Sequence, residues 1–126
     1  MKTTINHIAL QYANKNEAKI FFSDILGLKN IRSFNLTSNF SKEIFGINQP
    51  VDIEVYDNEE TRFEIFFTEF KNDKSFTHIC IEIENKEKFI SLCKKHNLKP
   101  YYVIKGDKKL LFVKDFSNNL YEIKEK

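Results

Sequence analysis

The sequence predicts an α+β fold: two tandem βαβββ modules forming a curved, cup-shaped mixed sheet with helices on its outer face. Two observations carry this prediction. The first is internal repetition. The stretch His7-Ile8-Ala9-Leu10, followed by Asn14-Lys15, matches His78-Ile79-Cys80-Ile81, followed by Asn85-Lys86; one deletion later, Gly27-Leu28-Lys29 falls on Asn97-Leu98-Lys99. Further on, Val51 to Asp57 lies over Lys109 to Asp115, and Phe63-Glu64-Ile65 over Tyr121-Glu122-Ile123, with no gap between the two matches. The second observation is the hydrophobic period, which passes from strand-like to helical and back to strand-like in each half.

Taken in order, Ile5 to Leu10 is a short apolar run that reads as a strand. Asn16 to Leu26 places Ala18, Ile20, Phe21, Phe22, Ile25 and Leu26 at helical spacing, closed by Gly27, a residue that accepts the left-handed conformation at a helix end. Ile31 to Leu36, Val51 to Tyr56 and Arg62 to Thr68 follow as strands, with Asp57-Asn58 supplying turn chemistry between the last two. The stretch from Asn35 to Gln49 is the least regular, and a mobile loop with a short helix around Lys42 to Ile44 is expected there. In the second half Thr77 to Ile83 is a strand. Lys86 to His96 is a helix with Phe89, Ile90, Leu92 and Cys93 on its apolar side, capped by Asn97. Tyr101 to Ile104, Leu110 to Val113 and Leu120 to Ile123 are the returning strands.

A chain of 126 residues, 41% hydrophobic and 30% charged, has room for one core. The expected organisation is a single domain, 1–126, made of module 1 (about 1–70) and module 2 (about 74–126). No stretch approaches the roughly 20 apolar residues that a bilayer span requires. Met1-Lys2-Thr3-Thr4 runs directly into a strand-like pattern rather than a secretory signal, so a cytoplasmic protein is expected. The balance of 20 basic against 18 acidic side chains is too even to imply a nucleic-acid or membrane surface. With 18 Lys to 2 Arg, it also disfavours bidentate phosphate or base recognition. Cys80 and Cys93 lack Cys-x-x-Cys spacing and read as buried thiols. The 13 Phe, in a chain with no Trp, read as core.

The repeat pairs His7 with His78 and Glu64 with Glu122, all on predicted strands. Side chains alternate along a strand, so His78 shares a face with Phe76, Cys80 and Glu82, while Ile79, Ile81 and Ile83 take the other. Likewise Ile8 and Leu10 point away from His7, Phe63 and Ile65 away from Glu64, and Tyr121 and Ile123 away from Glu122. The apolar faces should pack beneath the helices, leaving two His and two Glu on the concave face; if that face curls into a cup, the four converge. Two imidazoles and two carboxylates suit a divalent ion such as Ni, Zn, Mn, Fe or Co, with positions left for water or substrate oxygens. His96 has no counterpart in the first half and reads as a helix-end cation.

The sequence resembles the vicinal oxygen chelate superfamily, which includes glyoxalase I, bleomycin resistance proteins, fosfomycin-modifying enzymes, methylmalonyl-CoA epimerases and extradiol dioxygenases. The resemblance spans the whole chain and rests on Ile5-Asn6-His7-Ile8-Ala9-Leu10, Phe63-Glu64-Ile65, Phe76-Thr77-His78-Ile79 and the run from Phe112 to Ile123. That run resembles the family's strand-Asp-Pro-x-Gly-Asn-strand-Glu ending, with Phe116 in place of Pro and Asn118 in place of Gly; Asn can adopt the turn geometry that Gly supplies.

The resemblance implies metal ligation by His7, Glu64, His78 and Glu122. Within the family this set is most like glyoxalase I, where Glu122 or Glu64 would be the base moving a proton between adjacent carbons while an enediolate is stabilised. Fosfomycin-modifying and dioxygenase members use two His and one Glu, which His7, His78 and Glu122 would supply. Bacterial glyoxalase I has Arg and Asn at the positions of Gln11 and Thr68, so a glyoxalase-like lyase or isomerase acting on a small substrate other than a glutathione adduct is favoured. The alternative is a metal-free sequestering protein of the bleomycin-resistance type, with Phe66, Phe76, Tyr101, Tyr102 and Phe112 available to line its pocket. A transcription or assembly partner without a ligand is a third reading. In the family two modules face each other either within one chain or across a dimer, where His7 and Glu64 of one chain would meet His78 and Glu122 of the other; of the two, the resemblance favours a homodimer.

Overall fold

A computed structural model describes the chain except for residues 70, 72 and 74, which fall at the expected junction between modules. Module 1 contains β1 (Ile8–Tyr12), α1 (Lys15–Ala18, continuing as a π-helix over Lys19–Ile25), β2 (Lys29–Leu36), α2 (Ser38–Phe45), β3 (Val51–Asp57) and β4 (Arg62–Phe67). Module 2 contains β5 (His78–Ile83), α3 (Lys86–Lys95), β6 (Tyr101–Lys105), β7 (Lys108–Lys114) and β8 (Leu120–Glu125). Each module builds its own four-stranded mixed sheet, ordered β1-β4-β3-β2 and β5-β8-β7-β6. In both, the first strand runs parallel to the last and the remaining pairs are antiparallel. The two sheets are hydrogen-bonded separately and the cup is not closed.

The repeated residues perform the same local work in each half. The side-chain oxygen of Asn14 accepts from the Glu17 N–H at 2.9 Å, and that of Asn85 from the Lys88 N–H at 2.9 Å, each satisfying a donor left open at a helix start. Gly27 at φ 77° and Asn97 at φ 65° provide the left-handed residue after each helix. Between β3 and β4, the Asp57 and Asn58 side chains accept backbone N–H groups from Glu59 and Thr61.

Four expectations change. β1 starts at Ile8, so His7 immediately precedes the strand and Ile5 is exposed. The first helix widens into a π-helix, with Leu26 N–H donating five residues back to Phe21 C=O at 3.0 Å. The stretch expected as a mobile loop holds an ordered two-turn helix, α2, because Thr37 caps its start and Gly46, at φ 72°, ends it. Cys93 is buried as expected, but Cys80 is exposed, because it lies on the sheet face turned away from the helices.

The helices and the inner sheet faces share a single core. Phe21, Phe22, Phe63 and Ile65 from module 1 cluster with Phe89, Cys93, Tyr121 and Ile123 from module 2, and the Phe21 and Tyr121 rings meet at 4.9 Å across the boundary. The tight turn before β8 ties the modules further. Buried Asp115 accepts from the N–H groups of Ser117 and Asn119, the Asn119 amide and the Tyr121 hydroxyl at 2.7–3.1 Å. From the same turn, Ser117 Oγ accepts from the Ala13 N–H and the Asn119 amide donates to the Gln11 C=O, so the turn of module 2 is bound to the end of β1. Asn118, where the sequence pattern anticipated a Gly-like conformation, has φ 64°.

Candidate functional site

Parallel pairing of β1 with β4 sets Ala9 opposite Glu64 and Gln11 opposite Phe66. His7, two residues before Ala9, therefore projects on the same side of the sheet as Glu64. Its Nε2 lies 3.4 Å from Glu64 Oε1. In module 2 the parallel pairing of β5 with β8 sets Cys80 opposite Glu122, with His78 two residues earlier, which reproduces the placement of His7 and Glu64. The Cys80 thiol, although exposed, is held above its ordinary pKa, first by the loss of some of its hydration against the sheet and then by the charge of Glu122.

Both histidines are held by Nδ1. In His78, Nδ1 is 2.9 Å from the Phe76 carbonyl oxygen; in His7 it is 3.0 Å from Asn6 Oδ1. A carbonyl only accepts, so Nδ1 is the donor in each contact, and Nε2 is the ring nitrogen left to meet another group. Such a tether fixes the tautomer and ring orientation of a metal-ligating histidine. At His7 that remaining nitrogen, Nε2, faces a carboxylate oxygen. Such a pair is brought together by a cation held between its two atoms, a proton or a metal ion alike. Two N/O ligands at about 2.1 Å from a tetrahedral ion lie roughly 3.4 Å apart, so the spacing of this pair fits a divalent metal.

The four candidate residues do not converge within one chain. Among the described residues, no group of three or more His, Cys, Asp or Glu is close enough to hold a metal ion. Each pair stays with its own sheet, because the modules associate through the helix-side core and not by closing their other faces over one another. His7 and Glu64 are brought together; His78 and Glu122 hold equivalent positions in the second sheet.

Beside the His7–Glu64 pair, on the same face of the first sheet, is a hollow of about 250 Å³ lined by residues that include Ala9, Gln11, Phe45, Phe66 and Thr68. Helix α2 covers part of it, with the Phe45 ring edge-on to Phe66 at 5.6 Å. Gln11 and Thr68 approach each other across the strands, Nε2 to Oγ1 at 3.5 Å. Of the five aromatic residues expected to line a pocket, Phe66 does so. Phe76, Tyr101 and Tyr102 are exposed, and Phe112 is half-buried beneath the stacked Tyr101 ring. Sequence reading did not identify the hollow, because four of its ten lining residues come from α2 and the segment after it. The cap residues Thr37 and Gly46 were the available signal for that helix.

No protein-family model matches the sequence, and no curated protein matches it. Solved structures do match. The genomically encoded fosfomycin resistance protein FosX of Listeria monocytogenes aligns over 100% of this chain and 95% of its own, at 14% identity and a TM-score of 0.75. A glyoxalase family protein of Bacillus cereus aligns over 99% and 95%, at 15% identity and a TM-score of 0.77. One from Enterococcus faecalis aligns over 95% and 95%, at 18% identity and a TM-score of 0.71. The Listeria protein has also been solved in complex with Mn(II) and sulfate ion. At these identities the likeness establishes the fold, which is that of the vicinal oxygen chelate proteins.

Proposed function

We propose that this single-domain chain is a divalent-metal-dependent, glyoxalase-like lyase or isomerase, with His7, Glu64, His78 and Glu122 as ligands at a site completed across a homodimer. The observation that carries this reading is the His7–Glu64 pair, in which an imidazole tethered by Nδ1 turns its Nε2 toward a carboxylate oxygen. The equivalent tether on His78 and the equivalent strand position of Glu122 support a second half-site. A two-fold dimer is the simplest way to unite half-sites that one chain keeps apart, since each half would meet its complement in the partner. A bound divalent ion would supply Lewis acidity toward the vicinal oxygens of a small substrate.

The chain's own residues would do the rest. His7 and His78 present fixed Nε2 donors, and Glu122, or its mate Glu64, takes and returns a proton at the carbon next to the chelated oxygens. Gln11 and Thr68 contact one another and carry no charge, so the site offers no cationic clamp for a glutathione carboxylate there. The likeness to FosX supports a second reading, a fosfomycin-modifying type of reaction using His7, His78 and Glu122, and a metal-free sequestering protein is the third. No helix among the described residues is long and apolar enough to cross a membrane. With two free cysteines, we place the protein in the reducing cytoplasm.

The test is metal content. Protein dialysed against chelator, resupplied with Ni or Zn and passed through a desalting column should retain close to one ion per chain by elemental analysis. His7→Ala and His78→Ala should each lose most of it. Retention unchanged in both variants would remove the metal reading and leave the sequestering one.

A further inference from the structure

The hollow beneath α2 contains a group that the metal site does not use. Ser41, one of the residues lining the hollow, is 2% exposed, and its buried Oγ has no hydrogen-bond partner among the described residues. A buried hydroxyl left unpaired is costly, and a ligand atom that completes its hydrogen bond relieves that cost. The rest of the lining is apolar or carries only neutral amide and hydroxyl groups: Ala9, Val51, Phe45 and Phe66, with Gln11 and Gln49. Among the described residues, no Lys, Arg, His, Asp or Glu lines it. Burying a phosphonate or carboxylate in such a space would strand its charge.

We propose that this hollow is the subsite for an uncharged, apolar-bodied portion of the ligand, whose hydrogen-bonding group pairs with Ser41. The assignment rests on the proposed metal site only for which end of the substrate reacts. Ala9 and Gln11 continue along the face that begins with His7, and Phe66 and Thr68 continue the face of Glu64, each step of two residues spanning about 7 Å. A substrate chelated at the His7–Glu64 end would therefore lay its apolar body under α2. The volume of about 250 Å³ lies below the roughly 300–1,000 Å³ of sites for drug-sized ligands, which limits that body to about one ring.

Benzyl alcohol, toluene and benzoate separate the components of this proposal when titrated into the chelator-treated full chain and followed by amide chemical shifts. Benzyl alcohol and toluene should shift the amides of Gln11, Ser41 and Phe66, and benzoate should bind at least tenfold more weakly than the alcohol. Ser41→Ala should weaken benzyl alcohol at least threefold while leaving toluene unchanged. Ala9→Phe, at an exposed position that fills the mouth, should abolish both responses while the spectrum stays dispersed. Benzoate binding as tightly as the alcohol, equal effects of Ser41→Ala on alcohol and toluene, or shifts confined to other parts of the chain would each overturn the proposal. Because no metal is present, failure of the metal reading leaves this result standing, and a metal site without probe binding refutes the subsite alone.

Discussion

Nε2 of His7 faces Oε1 of Glu64 at 3.4 Å, while Nδ1 of the same ring is taken up by Asn6. The pair is thus oriented before any cation arrives, and a cation bound only by the folded chain must stabilise it. At a Zn or Ni concentration about 100 times the dissociation constant, the folded state should gain about 2.7 kcal/mol. Thermal unfolding with and without metal checks this, and in His7→Ala the metal-induced increment should vanish while the metal-free midpoint stays near that of the unsubstituted protein.

If the site is shared between two chains, inactive variants can rescue one another. A dimer of a His7→Ala chain with a Glu122→Ala chain has one site lacking both residues and one lacking neither. Random pairing of equal amounts should then restore about one quarter of the sites of the unsubstituted protein, read as bound metal per chain. Sites formed within single chains would show no recovery at all.

The Asp115 turn makes a prediction about pH. Burial raises the Asp115 carboxyl above the ordinary carboxylate range, and the hydrogen bonds from Tyr121, Asn119 and Ser117 oppose that rise. The folded chain therefore favours the protonated acid more than the unfolded chain does. The stability this contributes is complete below the unfolded carboxylate value of about 3.9 and is lost as pH rises through the folded one. Denaturant unfolding should show the unsubstituted protein losing stability relative to Asp115→Asn as pH rises through that window. At neutral pH, Asp115→Ala should cost about 3 kcal/mol, because it leaves the buried Tyr121 hydroxyl and the Asn119 backbone N–H without their acceptor and the Asn119 amide with only the Gln11 carbonyl.

The helix caps test the repeat directly. Asn14→Ala and Asn85→Ala each remove one side-chain acceptor from an otherwise open N–H, so each should cost about 1 kcal/mol in equilibrium unfolding. Unequal costs would mean that one helix start is held chiefly by its packing.

The residues that made the fold legible are those whose work is local. Asn14 and Asn85 cap, Gly27, Asn97 and Asn118 take left-handed turns, and alternation puts Phe63, Ile65, Tyr121 and Ile123 inward. The same alternation put His7 with Glu64 on one face, since strand pairing preserves the face. What the sequence did not reveal depends on how elements meet. Nothing in the spacing of His7, Glu64, His78 and Glu122 fixes whether two sheets close over one another, and helix packing around Phe21 and Tyr121 leaves the two pairs apart. Ser41 was unremarkable in sequence because its burial comes from α2 lying against the first sheet.

That shared packing leads to a prediction about cooperativity. Phe21 is fully buried, belongs to module 1 and touches Tyr121 of module 2, while Phe22 beside it stays with Tyr56 and Phe63 of its own sheet. Truncating either ring opens a cavity worth about 3–5 kcal/mol. If the modules are one folding unit, Phe21→Ala should lower the midpoint of a single transition observed alike by far-ultraviolet circular dichroism and by tyrosine fluorescence. Two separated transitions, with the Phe22→Ala effect confined to the first, would mean that the modules unfold independently.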